Sequence, residues 1–499
     1  MKRLSVLWAN GKVRSECRYI GSTDPFVGTV TYRAQCRTPN GVYAAITGIH
    51  HDGHDHIDEA ITRGAALIIC EHPLKTYQAQ VLYLIHPHVR RVVSSLCYAQ
   101  VDAIPSDIIG VTGTDGKSTT CDFLHQILCS MGVHSALLSS ITMDDGTGRH
   151  PSPYRQSTPE APQLYEFFSR CAANRVERVV LETTSHGLST EGARLADITF
   201  AAAVLTPITH EHLEFHQSLA RYVDAKMNLV RQVRPGGSVI LPEDFPYLHE
   251  VMQAKHESVH LLTYSYNDAV PANLYARQVH QSLYDQVIEV VCSSHSSRFS
   301  LPYGQRCHAD NFLGALLGAS ASTAIPITDI HPTLQMIPGR FEQVPVALPI
   351  TVIIDFAHTE RSFSLLFSHV RAHHRNSRII ALFGAAGERD RAKRSPMGKV
   401  AGLWCDVIIL TDEDPRGEDP VQILDDLESG IRDSSFQGTV MRIHDRRKAI
   451  EWALRTCQPH DILLLLAKSH ETTIQYRDHH ILWNERDMVL QLAKELKEQ

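Results

Sequence analysis

Several features that would assign a protein to a class at once are missing from this sequence. No run of about 18 apolar residues is present, so a typical membrane-spanning helix is excluded. The opening stretch MKRLSVLWANGKVR carries charge, and its apolar part is too short and interrupted for a secretory signal. The 11 cysteines include no C-x-x-C pair, which favours reduced thiols over a zinc site or a disulfide framework. We therefore expect a cytoplasmic protein without a membrane partner.

An excess of basic charge is also missing. The chain has 48 Lys and Arg against 55 Asp and Glu, a formal net charge of −7. General nucleic-acid binders depend on Lys and Arg that neutralise phosphates, so we expect no nucleic-acid partner. A composition of 43% hydrophobic and 21% charged residues, without low-complexity tracts or short repeats, is typical of a folded globular protein. At about 150 residues per domain, the chain is long enough for roughly three domains.

The pattern of strands and helices predicts an α/β fold in three parts. A small mixed domain comes first, with short strands such as GVYAAI and AALIIC. Apolar runs such as DIIGV and RVVLE then alternate with helical periodicity, which predicts a central, mostly parallel sheet covered by helices. A second alternating series after Pro338-Gly339 predicts a Rossmann-like C-terminal domain. The predicted domains are residues 1–104, 105–335 and 336–499.

A histidine-rich segment, HHDGHDHID at residues 50–58, lies in the first domain. Its four histidines within seven residues suggest a metal site. The alternative is a solvated loop that contacts a ligand through its backbone and side chains. We favour the loop, because no cysteine or second cluster completes a defined metal geometry.

The stretch GVTGTDGKSTT at residues 110–120 has the character of a phosphate-binding loop. It follows the strand-like DIIGV and precedes a helical pattern, so backbone N–H groups and the helix dipole would face an anion. Lys117 can reach the β- and γ-phosphates, and Ser118 offers a hydroxyl to Mg²⁺. The usual Walker A glycine is replaced by Val111, however, and the loop's glycines stand at Gly113 and Gly116.

This spelling resembles the Mur ligase family, whose loop reads T-G-T-x-G-K-[ST]. These ATP-dependent enzymes join an amino acid to a carboxylate. The order and spacing of later motifs most resemble the members that add the third, diamino residue to the peptidoglycan precursor. Those motifs are STPE at 157–160, LETTSHGLSTEGAR at 181–194, THEHLEFHQSLARYVDAKMNL at 209–229, IIDFAHT at 353–359, GAAGERDRAKR at 384–394, DEDPRGEDP at 412–420 and AKSHE at 467–471.

The resemblance implies ATP and Mg²⁺ as cofactors and two small-molecule substrates, the UDP-muramoyl dipeptide and a diamino acid. ATP would phosphorylate the carboxylate of UDP-N-acetylmuramoyl-L-alanyl-D-glutamate, and an amine would attack the acyl phosphate. Lys226 matches the lysine that the family carbamylates with CO₂ to N6-carboxylysine, although a helical lysine alone is more often solvated. Oligomeric state cannot be read from the sequence, and we expect a monomer.

The resemblance assigns roles to individual positions. The implied catalytic residues are Lys117, Lys226 and His212, and the metal ligands are Ser118, Glu182 and His212. Glu182 also closes the strand RVVLE, a common placement for a metal-binding carboxylate, with a surface acid as the alternative. His212 and His216 are four residues apart but lack the glutamate of a zinc H-E-x-x-H site. The implied nucleotide contacts are Gly113, Thr114, Asp115, Gly116, Lys117, Ser118, Thr119, Asn311, Arg340, Asp355 and His358. The implied substrate contacts are Thr158, Ser185, Arg194, Arg389, Glu413, Asp414, Arg416 and Glu471.

The chain departs from the family pattern at four places. His308 stands where a second asparagine is expected near the adenine, and RAQ at 33–35 replaces the Asp-Ser-Arg of the uridine-binding segment. AKSHE replaces GKGHE, and Glu413-Asp414-Pro415-Arg416 replaces the Asp-Asn-Pro-Arg of diaminopimelate-adding members. Arg416 can hold a substrate carboxylate, whereas the Asp414 anion favours an ammonium. Lysine, ornithine and meso-diaminopimelate therefore stay open as the added residue.

Two other functions are compatible with parts of the sequence. Folylpolyglutamate synthase shares the loop and the three-part layout, but the first-domain segment and DEDPR argue against it. A nonenzymatic regulator could keep the nucleotide fold. Binding alone would not require the set of Lys117, Ser118, Glu182, His212 and Lys226 together, so we expect an enzyme.

Overall fold

The computed structural model describes residues 2–9, 13–36, 39–48, 51–209, 211–267, 271–292 and 295–497. His50 of the histidine-rich segment, and Arg37 and Thr38 of the expected uridine-binding segment, lie outside these residues. Within the described ranges, no helix combines the length and the hydrophobicity that crossing a membrane requires.

The N-terminal part is built on a five-stranded sheet that is parallel except at one edge. Its strands are β1 Arg18–Ile20, β2 Val30–Thr31, β3 Gly41–Ala44, β4 Ala65–Cys70 and β5 Leu82–Ile85. Its helices are α1 Leu4–Leu7, α2 Ile57–Thr62 and α3 Val89–Gln100. The order is β1-β5-β4-β3-β2, with β1 antiparallel to β5. The two strands predicted here, at GVYAAI and AALIIC, are β3 and β4.

The central part contains an eleven-stranded sheet. Its strands are β6 Asp107–Thr112, β7 Ser135–Leu138, β8 Thr142–Asp144, β9 His150–Pro151, β10 Arg178–Glu182, β11 Phe200–Leu205, β12 Val233–Pro242, β13 His260–Ser265, β14 Leu274–Gln281, β15 Gln286–Cys292 and β16 His295–Leu301. Its helices are α4 Lys117–Ser130, α5 Ala161–Ala173, α6 Ser185–Leu188, α7 Leu213–His216, α8 Leu219–Arg231, α9 Leu248–Ala254 and α10 Arg306–Thr323.

The strand order of this sheet places β6 near its centre, beside β11. The order is β16-β15-β14-β13-β12-β11-β6-β10-β7-β8-β9, and the strands from β14 to β7 run parallel. The chain forms β7 and β10 on one side of β6 and then crosses to form β11 and β12 on the other side, and ligands bind at the carboxyl ends of strands at such a switch point. The mostly parallel sheet confirms the predicted α/β class, while the antiparallel ribbon β14–β16 extends it at one edge.

The C-terminal part has a six-stranded sheet and a small hairpin. The strands are β17 Glu342–Val344, β18 Thr351–Asp355, β19 Ile379–Phe383, β20 Val407–Leu410, β21 Thr439–Arg442, β22 Ile462–Leu466, β23 Thr473–Gln475 and β24 His480–Leu482. The helices are α11 Glu360–His373, α12 Arg394–Trp404, α13 Pro420–Asp433, α14 Arg446–Thr456 and α15 Glu485–Lys497. The order is β17-β18-β22-β19-β20-β21, parallel apart from β17.

Apolar packing joins the three parts. One buried cluster contains Phe123 of α4 together with Phe363 of α11, and a second joins Leu84 of β5 to Phe167 of α5. Inner strands such as β6, β10 and β22 are buried on both faces, and their continuous Val, Ile and Leu runs are what such burial requires. The three sheets lie within the predicted domains, whose boundaries at residues 104 and 335 stay predictions.

Candidate active site

The loop between β6 and α4 can be built only with glycine at two positions. A Cβ on Gly113 would lie 1.8 Å from the Thr206 hydroxyl oxygen. Gly116 has φ +87°, and a Cβ there would lie 2.4 Å from the Asn311 side-chain oxygen. Gly116 directly precedes α4, so the close approach aligns backbone N–H groups at the helix start. The glycines are thus placed by the contacts of this particular loop, which explains why Val111 can stand at the Walker A position.

Polar contacts hold the rest of the loop. The Thr114 hydroxyl lies 3.0 Å from the Tyr222 hydroxyl, and the Lys117 ammonium donates to the Thr114 carbonyl at 2.7 Å. Asp115 accepts a hydrogen bond from Thr359 at 3.4 Å. Thr119 is buried in the first turn of α4. The predicted nucleotide-binding residues of the loop therefore form one connected unit.

Ser118 and Glu182 meet directly below the loop. The Ser118 hydroxyl donates to Glu182 Oε2 at 2.9 Å, and the Ser140 backbone N–H donates to the same oxygen at 2.9 Å. Glu182 ends β10, which pairs with β6 so that Glu182 stands beside Val111. Two predicted metal ligands are therefore adjacent and buried at the carboxyl edge of the sheet.

Lys226 is a buried lysine below Gly113. Its ammonium nitrogen donates to the Gly113 carbonyl at 2.6 Å and lies 4.4 Å from the centre of the Tyr222 ring. Burial, followed by repulsion from Lys117, holds the pKa of Lys226 well below its usual range. The neutral amine is therefore formed more easily here than at an ordinary lysine, and the burial of Lys226 excludes the solvated lysine that the sequence left open.

His212 lies at the start of α7 in the left-handed region, with φ 57°. Its Nδ1 is 3.3 Å from Glu214 and its Nε2 is 3.7 Å from Glu211. Among the described residues, the polar contacts of the His212 ring go to Glu214 and Glu211 and not to Ser118 or Glu182. The ring packs edge-on against His186 at 4.8 Å. The role of His212 as a metal ligand stays a prediction.

Two contacts bring the C-terminal part to the loop. His358 Nε2 lies 3.1 Å from Glu211 Oε1, and Thr359 reaches Asp115 as described above. The other ring nitrogen of His358 donates to the Phe356 carbonyl at 2.8 Å. The contact with His212, the hydrogen bond from His358 and further positive charge keep the pKa of Glu211 well below its usual range, against the effect of burial.

Arg340 and Asp355 flank this junction. The Arg340 guanidinium lies 4.7 Å from the centre of the Phe356 ring, and burial lowers its pKa. Asp355, at the end of β18, accepts backbone hydrogen bonds from Phe341 and Ala357, both at 2.7 Å. Burial nevertheless raises the pKa of Asp355. Arg340 and Asp355 therefore lie on the side of the central part that carries the phosphate loop.

Asn311 and His308 lie one turn apart on α10. Asn311 packs its side-chain oxygen against Gly116. His308, where an asparagine was expected, is buried and stacks on Tyr303 with ring centres 4.0 Å apart. Burial, then the charge of Arg340, lowers the pKa of His308 to about 3, so this histidine is neutral in the fold.

The residues predicted to lie near the muramoyl peptide cluster behind Glu182. Thr158 is buried, and its hydroxyl donates to the Glu182 carbonyl at 2.8 Å and accepts from the Thr184 N–H at 2.9 Å. Arg194 donates to the Thr158 carbonyl and to Glu160, both at 2.8 Å. Ser185 follows Thr184 in the chain and is buried. Its hydroxyl has no hydrogen-bond partner in the described part of the chain. The Ser185 hydroxyl and the Arg194 Nε therefore both have bonding capacity left for a substrate.

The residues predicted to bind the incoming amine follow the carboxyl ends of β19, β20 and β22. Arg389 has its pKa lowered, first by burial and then by the charge of Arg416. The guanidinium groups of Arg389 and Arg416 thus lie in the same region of the protein. Their combined positive charge is suited to binding an anion. Arg416 donates to the Gly387 carbonyl at 3.3 Å, and Glu413 is buried.

The Asp414 carboxylate is already paired with other groups of the protein. Its Oδ1 accepts from Lys468 Nζ at 2.7 Å and from the Gln475 N–H at 2.9 Å. Lys468 also contacts Glu471 at 2.6 Å, and Arg416 lies 3.6 Å from Asp414 Oδ2. The fully buried Lys468 therefore offsets the Asp414 charge inside the protein, and a direct role of Asp414 towards a substrate ammonium stays a prediction.

The backbone of AKSHE is left-handed at two non-glycine residues. Ala467 has φ 73° and Ser469 has φ 49°. The Ser469 hydroxyl donates to the Gly339 carbonyl at 2.7 Å. A Cβ on Gly339 would lie 2.0 Å from the Ser469 hydroxyl oxygen. His212 and Arg416 share this conformation. Such conformations cost energy and cluster at functional sites, as they do here.

The histidine-rich segment forms a hydrogen-bonded turn. Asp52, His54 and the more distant His72 bring one ligand atom each to within 4.8 Å of one another. His54 Nδ1 is 2.6 Å from Asp52, however, and its Nε2 accepts from the Glu71 N–H at 3.1 Å. Both ring nitrogens of His54 are thus in use, and the segment forms a 3-10 turn at Gly53–His56 that continues into α2, so the choice between a loop and a metal site stays a prediction.

The sequence analysis assigned no role to four residues that make contacts in the site. Glu211 and Lys468 make the ionic contacts described above, Tyr222 lies under Lys226, and His186 packs against His212. Glu211 and His186 lie within the quoted motifs, next to His212 and Ser185, and this position was the available signal. Their partners come from elsewhere in the chain.

Comparison with known proteins agrees with this geometry. Residues 111–319 match the family described as Mur ligase middle domain, and residues 339–469 match Mur ligase, glutamate ligase domain. A UDP-N-acetylmuramyl-tripeptide synthetase of Borrelia garinii subsp. bavariensis is 35% identical over 96% of this chain and 95% of its own length. A UDP-N-acetylmuramoyl-L-alanyl-D-glutamate--2,6-diaminopimelate ligase of Alkaliphilus metalliredigens is 30% identical over 94% of each chain.

A solved structure supports the fold. The MurF ligase from Thermotoga maritima in complex with ADP superposes with a TM-score of 0.66 at 17% identity, over 94% of this chain and 98% of that one. At this identity the likeness shows the fold alone. The glycine-limited phosphate loop, the two family matches and the full-length relatives lead to one assignment: the chain belongs to the Mur ligase family of ATP-dependent amide ligases.

Proposed function

We propose that this enzyme adds a diamino acid to UDP-N-acetylmuramoyl-L-alanyl-D-glutamate in peptidoglycan precursor synthesis. The names of the full-length relatives support this reaction. The observation that carries it is the contact of Ser118 with Glu182 at 2.9 Å, directly below a phosphate loop that ends in Lys117. This arrangement can place a terminal phosphate and a divalent cation at one point.

The first step would transfer the γ-phosphoryl group of ATP to the substrate carboxylate. A carboxylate is a poor electrophile, and phosphorylation supplies a leaving group. The protein contributes mainly positioning and positive charge in such a transfer. Lys117 and the N–H groups at the start of α4 provide that charge, while Asp355, Asn311 and Arg340 surround the nucleotide region. Amide formation then needs the amine free of its proton when it attacks.

The donor set below the loop fits Mg²⁺. Ser118 supplies a hydroxyl and Glu182 a carboxylate, and oxygen donors of this kind are the ones Mg²⁺ prefers. The bound ion would neutralise charge on the transferring phosphoryl group. We include His212 as a further ligand, which requires it to exchange its present contacts with Glu211 and Glu214.

Lys226 is suited to become N6-carboxylysine. The reaction joins the lysine nitrogen to the carbon of CO₂ and releases a proton, and only a neutral amine can carry it out. The lowered pKa of Lys226 favours that form. The nearby Lys117 charge, which repels an ammonium there, would attract the carbamate anion instead. The product would place a negative oxygen group beside the metal region.

Closure of the C-terminal part over the loop protects the acyl phosphate from water. The contacts His358–Glu211 and Thr359–Asp115 join the two parts in this arrangement. They also bring Arg389 and Arg416 towards the central part, since Glu214 and Glu211 contribute to the electrostatics of Arg389. The amine and the acyl group would therefore meet at this junction.

We assign Thr158, Ser185 and Arg194 to the muramoyl dipeptide and Arg389, Glu413, Asp414, Arg416 and Glu471 to the diamino acid. Arg389 would hold its α-carboxylate, and Glu471 would face the side-chain amine. Lysine, ornithine and meso-diaminopimelate remain the candidates. ATP and the UDP-linked substrate are cytoplasmic metabolites, so we place the enzyme in the cytoplasm, as a monomer.

The test is an ATP-dependent ligation assay with the UDP-muramoyl dipeptide and each of the three amines. We expect ADP and UDP-muramoyl tripeptide in equal amounts with at least one of them. No product with any amine would contradict the proposal. Product with a folate acceptor instead would identify folylpolyglutamate synthase, and ATP binding without any turnover would identify a regulator.

A further inference from the structure

A cluster of one cysteine, one histidine, one aspartate and one serine lies at the far end of α4. Cys129 Sγ is 3.7 Å from His125 Nε2 and 4.0 Å from His125 Nδ1. The sulfur is thus almost equidistant from the two ring nitrogens. It also lies 3.4 Å from the Ser135 hydroxyl.

The two ring nitrogens of His125 point to other partners. Nε2 lies 3.4 Å from Asp144 Oδ2, and Nδ1 lies 2.9 Å from the Ser135 hydroxyl oxygen. Asp144 is held in place by the backbone N–H groups of Gly146 and Gly148. An imidazolium donates to both Asp144 and Ser135 in this arrangement, and the Ser135 O–H is then free to donate to the sulfur.

The charges favour a thiolate at Cys129. Burial lowers the pKa of His125, but its contacts with Asp144 and Cys129 outweigh this and raise it to about 9. The contact with His125 lowers the pKa of Cys129, against burial and the charge of Asp144. The C-terminal end of α4 disfavours an anion, so the imidazolium has to supply the stabilisation.

Accessibility separates Cys129 from most other cysteines of the chain. Only Cys36 and Cys129 are exposed. Buried thiols such as Cys97 and Cys121 have their pKa raised by burial. A thiolate that is both exposed and paired with a cation is the setting in which cysteines react.

We propose that Cys129 is a site of covalent modification by hydroperoxides. The thiolate sulfur attacks one oxygen of hydrogen peroxide, the S–O bond forms as the O–O bond breaks, and hydroxide leaves. The sulfur is oxidised by two electrons to a sulfenic acid and the peroxide is reduced. The site lies twelve residues along α4 from Lys117, or about 18 Å, so it is separate from the phosphate loop.

The test is labelling of the intact protein with hydrogen peroxide and dimedone at pH 7, with each cysteine followed by peptide mass spectrometry. We expect the Cys129 adduct to form about ten times faster than the Cys36 adduct. Equal rates at the two exposed cysteines would overturn the proposal. Cys129→Ser, which leaves the phosphate loop untouched, should lose the adduct and keep ligation activity.

Alkylation by iodoacetamide as a function of pH tests the origin of the reactivity. The groups facing Cys129 are His125 from its own helix, Asp144 from β8 and Ser135 from β7. We expect a midpoint for Cys129 below about 8.5, the ordinary thiol value. Asp144→Asn should raise it, because His125 loses its anion, and Ser135→Ala should raise it less. A midpoint at or above about 8.5 in the unaltered protein would overturn the proposal even if a variant fails to fold.

Discussion

His358 of the C-terminal part meets Glu211 of the central part, with Nε2 and Oε1 3.1 Å apart. The two residues are 147 positions apart in the chain, and each stands next to a residue of the phosphate-site machinery. The contact ties the closed arrangement to the loop, because Thr359 follows His358 and bonds Asp115.

Glu211→Gln should weaken closure. It removes the anion that faces His358 and His212, so we expect kcat to fall by about tenfold or more while the isolated parts stay folded. Steady-state kinetics and circular dichroism measure the two effects. Glu214→Gln is the matched control, because the Glu214 hydrogen bond goes to His212 within the central part. Equal losses in the two variants would contradict a role for Glu211 in closure.

His308→Asn should change how stability depends on pH. The folded pKa of about 3 lies below the unfolded value of 6.5, so the unfolded chain takes up the proton first and stability falls as pH drops below 6.5. Between pH 7.5 and 5.5 the unaltered protein should lose about 1 kcal/mol more unfolding free energy than the variant. Urea denaturation at both pH values measures this difference. Identical losses would show that His308 is not held neutral by burial and the charge of Arg340.

Lys226→Met should abolish ligation and a carbamate signal together. With ¹³C-bicarbonate the unaltered enzyme should show a carbamate resonance that the variant lacks, and removal of CO₂ should reduce activity reversibly. Falling pH should also weaken the signal, since protonation removes the amine that reacts. Lys255→Met, outside the site, is the control. Full activity in Lys226→Met would refute the carbamate.

Asp414→Asn should change the choice of amine. Asp414 now balances Lys468 and lies 3.6 Å from Arg416, so its loss frees positive charge for a second substrate carboxylate. We expect the ratio of kcat/KM for meso-diaminopimelate over lysine to rise by about tenfold. Asp412→Asn is the control, because Asp412 pairs with His444 and Tyr476. An unchanged ratio would place the choice of amine elsewhere.

The strand-loop-helix unit around Lys117 could be predicted because its signals are local. A continuous apolar strand, two glycines and a helical repeat lie within about two dozen residues, and the structure has β6 and α4 there. The antiparallel ribbon β14–β16 was not predicted, since its pairing partners are chosen by the surrounding sheet.

The ionic contacts of the site could not be predicted for a related reason. Asp414 and Lys468 are 54 positions apart, and only the neighbouring ends of β20 and β22 bring them together. Sequence reasoning assigned the Asp414 charge to a substrate because its partner inside the protein was not visible. Glu211 was missed in the same way, although it stands beside His212.

Oxygen transfer tests the central claim most directly. UDP-N-acetylmuramoyl-L-alanyl-D-glutamate labelled with ¹⁸O in the reacting carboxylate would be converted with ATP and the preferred diamine, and the released phosphate would be analysed by mass spectrometry. Activation as an acyl phosphate predicts one ¹⁸O atom in each phosphate, together with one UDP-muramoyl tripeptide. Phosphate without the label, formed alongside the tripeptide or without it, would contradict the account.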